Sequence, residues 1–268
     1  MKKLYISADI EGISGVCDWD ATKVGGAEYE EGCKLMTNEV LATCRGAFKA
    51  GYDHVVIKDA HNSGRNITPS LMPEKVTLIR SWSGHPYCMM QELDQSFDAS
   101  IMIGYHSCAG SSSNPLAHSF TGRIALVKLN ERPVSEFYFN TLISWYEKVP
   151  VALVSGDEAL CSEVENMNCG IMSHPVSKGM GMSSITLSHS SVCKEREEMV
   201  EEALRRKEPG TIGKMDKKWK LEVSFNTPYS AYGASYYPGA RLKNDITVSF
   251  ESGDFFEILR ARKFIMMG

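Results

Sequence analysis

The chain has 268 residues, 29 lysines and arginines against 33 aspartates and glutamates, a formal net charge of −4 and a hydrophobic fraction of 43%. Such a composition is too apolar and evenly charged for intrinsic disorder, and too acidic for a general binder of nucleic acid or anionic membranes. The length admits one large domain or two small ones, either able to bury a core of its own.

At the N-terminus two lysines precede Leu4, Tyr5, Ile6, Ser7 and Ala8, and Asp9 then ends the apolar run. That run is shorter than the ~7–15 apolar residues of a signal peptide, and no segment reaches the ~20 of a membrane span. The eight cysteines, at positions 17, 33, 44, 88, 108, 161, 169 and 193, include no CxxC pair, which argues against zinc fingers, iron–sulfur ligation and a thioredoxin motif. A cytoplasmic protein with free thiols is expected.

Short apolar runs rich in β-branched residues alternate with longer segments of helical period. This is the pattern of an α/β protein with a mainly parallel sheet flanked by helices. Strands are expected at residues 3–9, 53–58, 99–104, 123–129, 149–155, 219–225 and 245–250, and helices at 27–49, 134–148, 160–165, 192–207 and 254–266. The first helix places Met36, Val40 and Ala47 on one stripe. Pro133 reads as a helix-start signal, and the stretches 107–114 and 178–184 read as loops. The charge run at 194–198 reads as an exposed helix face, and Arg260, Arg262 and Lys263 suit the last turns of a helix. A soft division near residue 145 separates a metal-binding catalytic subdomain (1–145) from a smaller α/β C-terminal subdomain (146–268), the two forming one compact unit.

The chemistry gathers at strand ends. Asp9 and Glu11 close the first strand, two residues apart and so on one face, with Gly12 to let the backbone turn. Two adjacent carboxylates ask for a positive charge between them, and a metal ion supplies it; a solvated strand end with two ordinary acids is the bland alternative. His61 follows the second strand and His106 the third, at the carboxyl edge where open α/β sheets bind ligands. Three strands ending alike lift the signal above chance histidines, and the mixed nitrogen and oxygen donors suit zinc or manganese. His118, in a loop, and Glu136, where the macrodipole already favours an acid, are weaker candidates alone. The remaining histidines, His54, His85, His174 and His189, are assigned to packing or surface.

Read together, these segments resemble a known family. Ser7-Ala8-Asp9-Ile10-Glu11-Gly12 is similar to the S-x-D-x-E-G opening of the zinc-dependent D-aminopeptidases. Asp59-Ala60-His61, Gly104-Tyr105-His106, Ala117-His118-Ser119, the segment from Asn130 to Glu136 and Val154-Ser155-Gly156-Asp157-Glu158 follow in the family's order. The resemblance implies a dinuclear zinc site of Asp9, Glu11, His61, His106 and Glu136, with Asp9 bridging and His118 catalytic. It also implies removal of N-terminal D-amino acids from short peptides by a homo-oligomer, a decameric ring, and a loose match at Lys178. Departures at Ser135 and Lys58 touch no implied ligand.

Five donors exceed one tetrahedral zinc and suit two metals sharing a carboxylate. An imidazole, which ordinarily titrates near neutrality, could stabilise an oxyanion or move a proton. The rival readings are a dinuclear phosphoesterase, an L-specific aminopeptidase and a non-catalytic metal-binding scaffold. There is no GxSxG elbow and no phosphate-binding glycine loop, and Cys108, two residues past His106, is expected to be a bystander or a stray ligand and not a nucleophile. The cluster of Tyr229, Tyr232, Tyr236 and Tyr237 suits a cover over the site, a core contact or a subunit contact, and the enrichment of aromatics at interfaces favours the last.

Overall fold

In the computed structural model, which describes residues 1–267, the first apolar run forms strand β1 (Lys3–Ala8). Its alternation sends Leu4, Ile6 and Ala8 into one core and Tyr5 into another on the opposite face. Helix α1 (Tyr29–Lys49) covers the first face, and Met36, Val40 and Ala47 are fully buried there, as the periodicity predicts. Strands β2 (His54–Asp59) and β4 (Ala99–Tyr105) then pair in parallel with β1 on either side, and β3 (Val76–Ile79) adds to β2. β3 is missed in the sequence because it is short and only half-buried, so its alternation is weak.

After β4 the chain leaves this sheet for β5 (Ile124–Leu129) and the two-residue β6 (Arg132–Pro133). Pro133 is therefore a strand residue, and helix α2 (Glu136–Tyr146) starts three residues later, capped by Ser135, whose hydroxyl accepts from the Tyr138 amide. Strand β7 (Val151–Asp157) returns to the first sheet beside β4, helix α3 (Glu158–Asn166) follows, and β8 (Met172–Met180) pairs with β7 in parallel. β9 (Ser183–Thr186) folds back antiparallel on β8. The stretch 178–184, expected as a loop, is thus largely a hairpin. Its Gly179 is required by close approach, since a Cβ there would lie 2.5 Å from the Ser113 backbone. The 107–114 stretch is irregular, as expected.

Helix α4 (His189–Arg205) packs on α1, with Gly46 so close that a Cβ would lie 2.5 Å from the Glu197 carbonyl. Its buried stripe is Val192, Arg196, Val200 and Ala203. Arg196, expected on an exposed face, is fully buried against Glu39 at 3.2 Å, because the helical period carries it into the α1 contact. Strand β10 (Trp219–Phe225), helix α5 (Pro228–Ala234), strands β11 (Arg241–Asn244) and β12 (Thr247–Ser252), and helix α6 (Phe255–Met267) complete the chain.

Two sheets result. The first runs β3-β2-β1-β4-β7-β8-β9 and is parallel except for its last pair; the second runs β11-β12-β10-β5-β6 and is antiparallel throughout. The strand expected at 123–129 is β5, whose partners, Val223 opposite Val127 and Leu221 opposite Leu129, come from nearly a hundred residues away. The core between the sheets holds Tyr5, Tyr105, Phe137, Phe139, Leu221 and Phe225 together with α6. No helix among the described residues is long and apolar enough to cross a membrane.

Candidate metal centre

β2, β1 and β4 are neighbours with the same direction, so their carboxyl ends form one edge, and there the structure brings together all six predicted residues. Asp9 and Glu11 lie just past the last residue of β1, so their convergence comes from the turn and not from strand alternation. Three glycines allow that turn to press on the end of β4. Gly104 has φ +69°, and a Cβ on Gly12 or on Gly156 would lie 1.8 or 1.9 Å from the Tyr105 carbonyl oxygen. Tyr105 is itself fixed, its hydroxyl 2.6 Å from Ser7 Oγ and accepting from Asn140 at 2.9 Å.

The donors form two triplets, Asp9, Glu11 and His61 in one and His106, His118 and Glu136 in the other, each with its ligand atoms within 4.8 Å of one another. Asp9 faces both. Its Oδ1 is 3.1 Å from His61 Nδ1, and its Oδ2 is 3.8 Å from His106 Nε2. Glu11 Oε2 also lies 3.1 Å from His61 Nδ1, while Glu136 Oε1 is 3.8 Å from the Nε2 of both His106 and His118. The His106 and His118 rings stack at 4.5 Å, and Trp19 meets His118 edge-on.

Each imidazole donates one ring nitrogen to a backbone carbonyl and leaves the other for the centre. His61 Nε2 donates to Thr22 (2.7 Å), His106 Nδ1 to Ser107 (2.9 Å) and His118 Nδ1 to Leu116 (3.0 Å). This is how metal-ligating histidines are oriented. Behind them, Asp59 accepts from the amides of Asn66 (2.6 Å) and Ile67 (2.8 Å), and Asn66 Nδ2 holds the His61 carbonyl at 2.8 Å. Asp157 caps α3 and accepts from the Ser107 amide at 2.7 Å, and Asn114 Nδ2 bridges it to the Glu11 carbonyl. Asn114 carried no signal in the sequence, and Asp157 only its place in the last matched segment.

The residues fit a bound cation. Glu11 Oε2 and His106 Nε2 are buried without a hydrogen-bond partner, and every other donor at the centre is at least four-fifths buried. Burial and the neighbouring Glu11 carboxylate push Asp9 well up. Burial opposes the charge on Glu11 too, but His61, His118 and His106 outweigh it and hold that carboxyl low. Burial likewise opposes protonation of His106, yet Glu136, Glu11 and Asp9 carry it up to about 9, and His61 rises in the same way, chiefly through Glu11. Protons thus sit where divalent cations would otherwise balance the carboxylates.

The centre opens into a cavity of about 440 Å³ lined by Trp19, Asn62, Trp82, His85, Met89, Phe120 and Arg262 among others. The size suits a small ligand. Three non-glycine residues on its wall, Asn62, Cys88 and Phe120, have positive φ of 41°, 55° and 62°. The Phe120 turn is held by its amide, which donates to Glu136 Oε1 at 2.5 Å. His85, assigned to packing or surface, lies on this wall, and Arg262, expected to suit the last turns of a helix, is 2% exposed on it. Lys178 is elsewhere, on β8, paired with Glu158 at 2.8 Å. The Cys108 thiol, pushed up by burial, is not on the cavity wall.

Similarity to known proteins agrees with this geometry. Residues 1–264 match the family model described as D-aminopeptidase. A D-aminopeptidase of Bacillus subtilis (strain 168) is 29% identical over 261 residues, 97% of this chain and 94% of that protein. The solved structure of the zinc-dependent D-aminopeptidase DppA from Bacillus subtilis, described as a self-compartmentalizing protease, superposes with a TM-score of 0.93. It is 27% identical and covers 99% of this chain and 97% of its own. The chain belongs to the D-aminopeptidase family.

Proposed function

We propose that this zinc-dependent D-aminopeptidase works with two cations per chain, one held by Asp9, Glu11 and His61, the other by His106 and Glu136, with Asp9 shared. The observation that carries the reading is the Asp9 carboxylate, one oxygen toward each triplet. Bound there, zinc ions supply Lewis-acid polarisation of the scissile carbonyl and a lowered pKa for water. The chain's own residues do the rest. The carbonyl contacts of Thr22 and Ser107 orient the ligating imidazoles, and the cavity beside them has room for a short peptide.

His118 Nε2 faces the same carboxylate as His106 and lies beside the open cavity, fixed through Nδ1. We assign it the proton transfer to the departing amine, or a hydrogen bond to the developing oxyanion, at that atom. Its place in the second triplet favours one other reading, that His118 is itself a ligand. The assembly reading is a homo-oligomer, a decameric ring, supported by the self-compartmentalizing relative and by exposed Tyr229, Tyr232 and Tyr236, 88%, 59% and 71% exposed in the single chain. The substrate reading is tested by offering the zinc-loaded protein matched D-alanyl and L-alanyl dipeptides. Release of D-alanine is expected, and cleavage confined to the L-series would reject the D-preference.

A further inference from the structure

Arg262 is a buried cation on the cavity wall that the metal centre does not account for. It is 2% exposed on α6, yet its partners are few. Nη2 donates to the Pro86 carbonyl at 2.8 Å, and Nη1 is buried with no partner. The guanidinium lies over the Phe120 ring at 4.5 Å and near Phe139 at 5.4 Å. Among the described residues no carboxylate forms an ion pair with it. The carboxylate whose charge bears on it is Glu136, which the proposed metal centre employs. A guanidinium withdrawn from water and left unpaired is costly, and the cost is relieved by an anion that enters the cavity.

Phe120 sets how far that anion sits from the chemistry. Its amide donates to Glu136 while its ring carries Arg262, so a single residue separates the cation from the metal-binding carboxylate. A peptide whose N-terminal end is engaged at the metal centre must be short for its other end to reach this point, and that end is a carboxylate. We propose that Arg262 receives the C-terminal carboxylate of the substrate through its guanidinium, making the enzyme selective for very short peptides with a free C-terminus. This rests on the aminopeptidase reading above. Arginine suits the task because it stays charged and presents planar donors to a carboxylate. The flanking Met89 and Met266 offer an apolar wall to the side chain between the two ends.

The test compares D-alanyl-D-alanine with its C-terminal amide on the zinc-loaded protein, for the wild type, Arg262→Met and Arg262→Lys. The wild type is expected to favour the acid by about 10- to 100-fold in kcat/KM, the range of a hydrogen bond to a charged group, with most of the difference in KM. Arg262→Met should bring the acid-to-amide ratio close to one, and Arg262→Lys should keep part of it. A merely structural role would lower both substrates together and leave the ratio unchanged, which would overturn the assignment. So would a wild type indifferent to amidation, a result that needs no variant to fold. Cleavage of neither substrate by the wild type would instead take down the aminopeptidase reading, and the carboxylate assignment with it.

Discussion

At the scale of single residues, the centre is a contest between protons and cations. His106 in the metal-free protein holds its proton up to about 9, because Glu136, Glu11 and Asp9 overcome the burial that opposes it. This shift stabilises the metal-free fold below the ordinary imidazole pKa of ~6.5, and the contribution is lost as pH rises through about 9. Zinc uptake near neutral pH must therefore expel protons. Calorimetry should give binding enthalpies that scale with the ionisation enthalpy of the buffer, and zinc affinity should weaken as the pH falls. A buffer-independent enthalpy would contradict the picture. The two aspects of the centre separate by substitution: Asp9→Ala should lose bound zinc, whereas His118→Ala should keep it and lose about 10²–10⁴-fold in turnover. Zinc loss in His118→Ala would make that residue a ligand. The six candidate residues stand out in the sequence through strand-end placement or motif similarity, and the fold brings them together. Arg262 does not, because a basic residue near a helix end has an ordinary electrostatic reading and only the fold shows it buried.

At the scale of elements, the strand ends meet because glycines remove side chains from the contact. The Tyr105 carbonyl is wedged between the Cα atoms of Gly12 and Gly156, and neither position has room for a Cβ. Gly12→Ala should separate the Glu11 turn from the end of β4. The expected result is a loss of about 2–3 kcal/mol, measured by denaturant midpoint, together with weakened zinc binding. Unchanged stability and zinc content would mean that the turn is not what aligns the carboxylates. The strands that end at the candidate centre are legible because they are long, apolar and fully or nearly buried. β9 and β11 are not, because short exposed strands lack alternation, and the sheet that β5 joins is not legible because local pattern does not report a distant partner.

Across the whole molecule, a buried polar network ties the two covering helices to the turn beyond the metal centre. Glu39 on α1 pairs with Arg196 on α4 and accepts from the Ser14 amide (2.9 Å) and hydroxyl (2.7 Å). Arg196 also donates to His174 at 2.9 Å and to Ser155 at 2.6 Å. Removing one partner leaves a charge buried and alone, so Glu39→Ala should cost about 3–5 kcal/mol in unfolding experiments. A loss below ~1 kcal/mol, the range of an exposed pair such as Lys178–Glu158, would show that the network adds little. None of this was visible in the sequence, where Arg196 sits inside a charge run that reads as solvated. The proposed chemistry turns on two cations sharing Asp9. Its most direct test is the zinc content of the purified, zinc-saturated and extensively dialysed protein, measured by atomic spectroscopy against chain concentration. Two zinc ions per chain are predicted, and one per chain in a fully active preparation would contradict the shared-carboxylate centre.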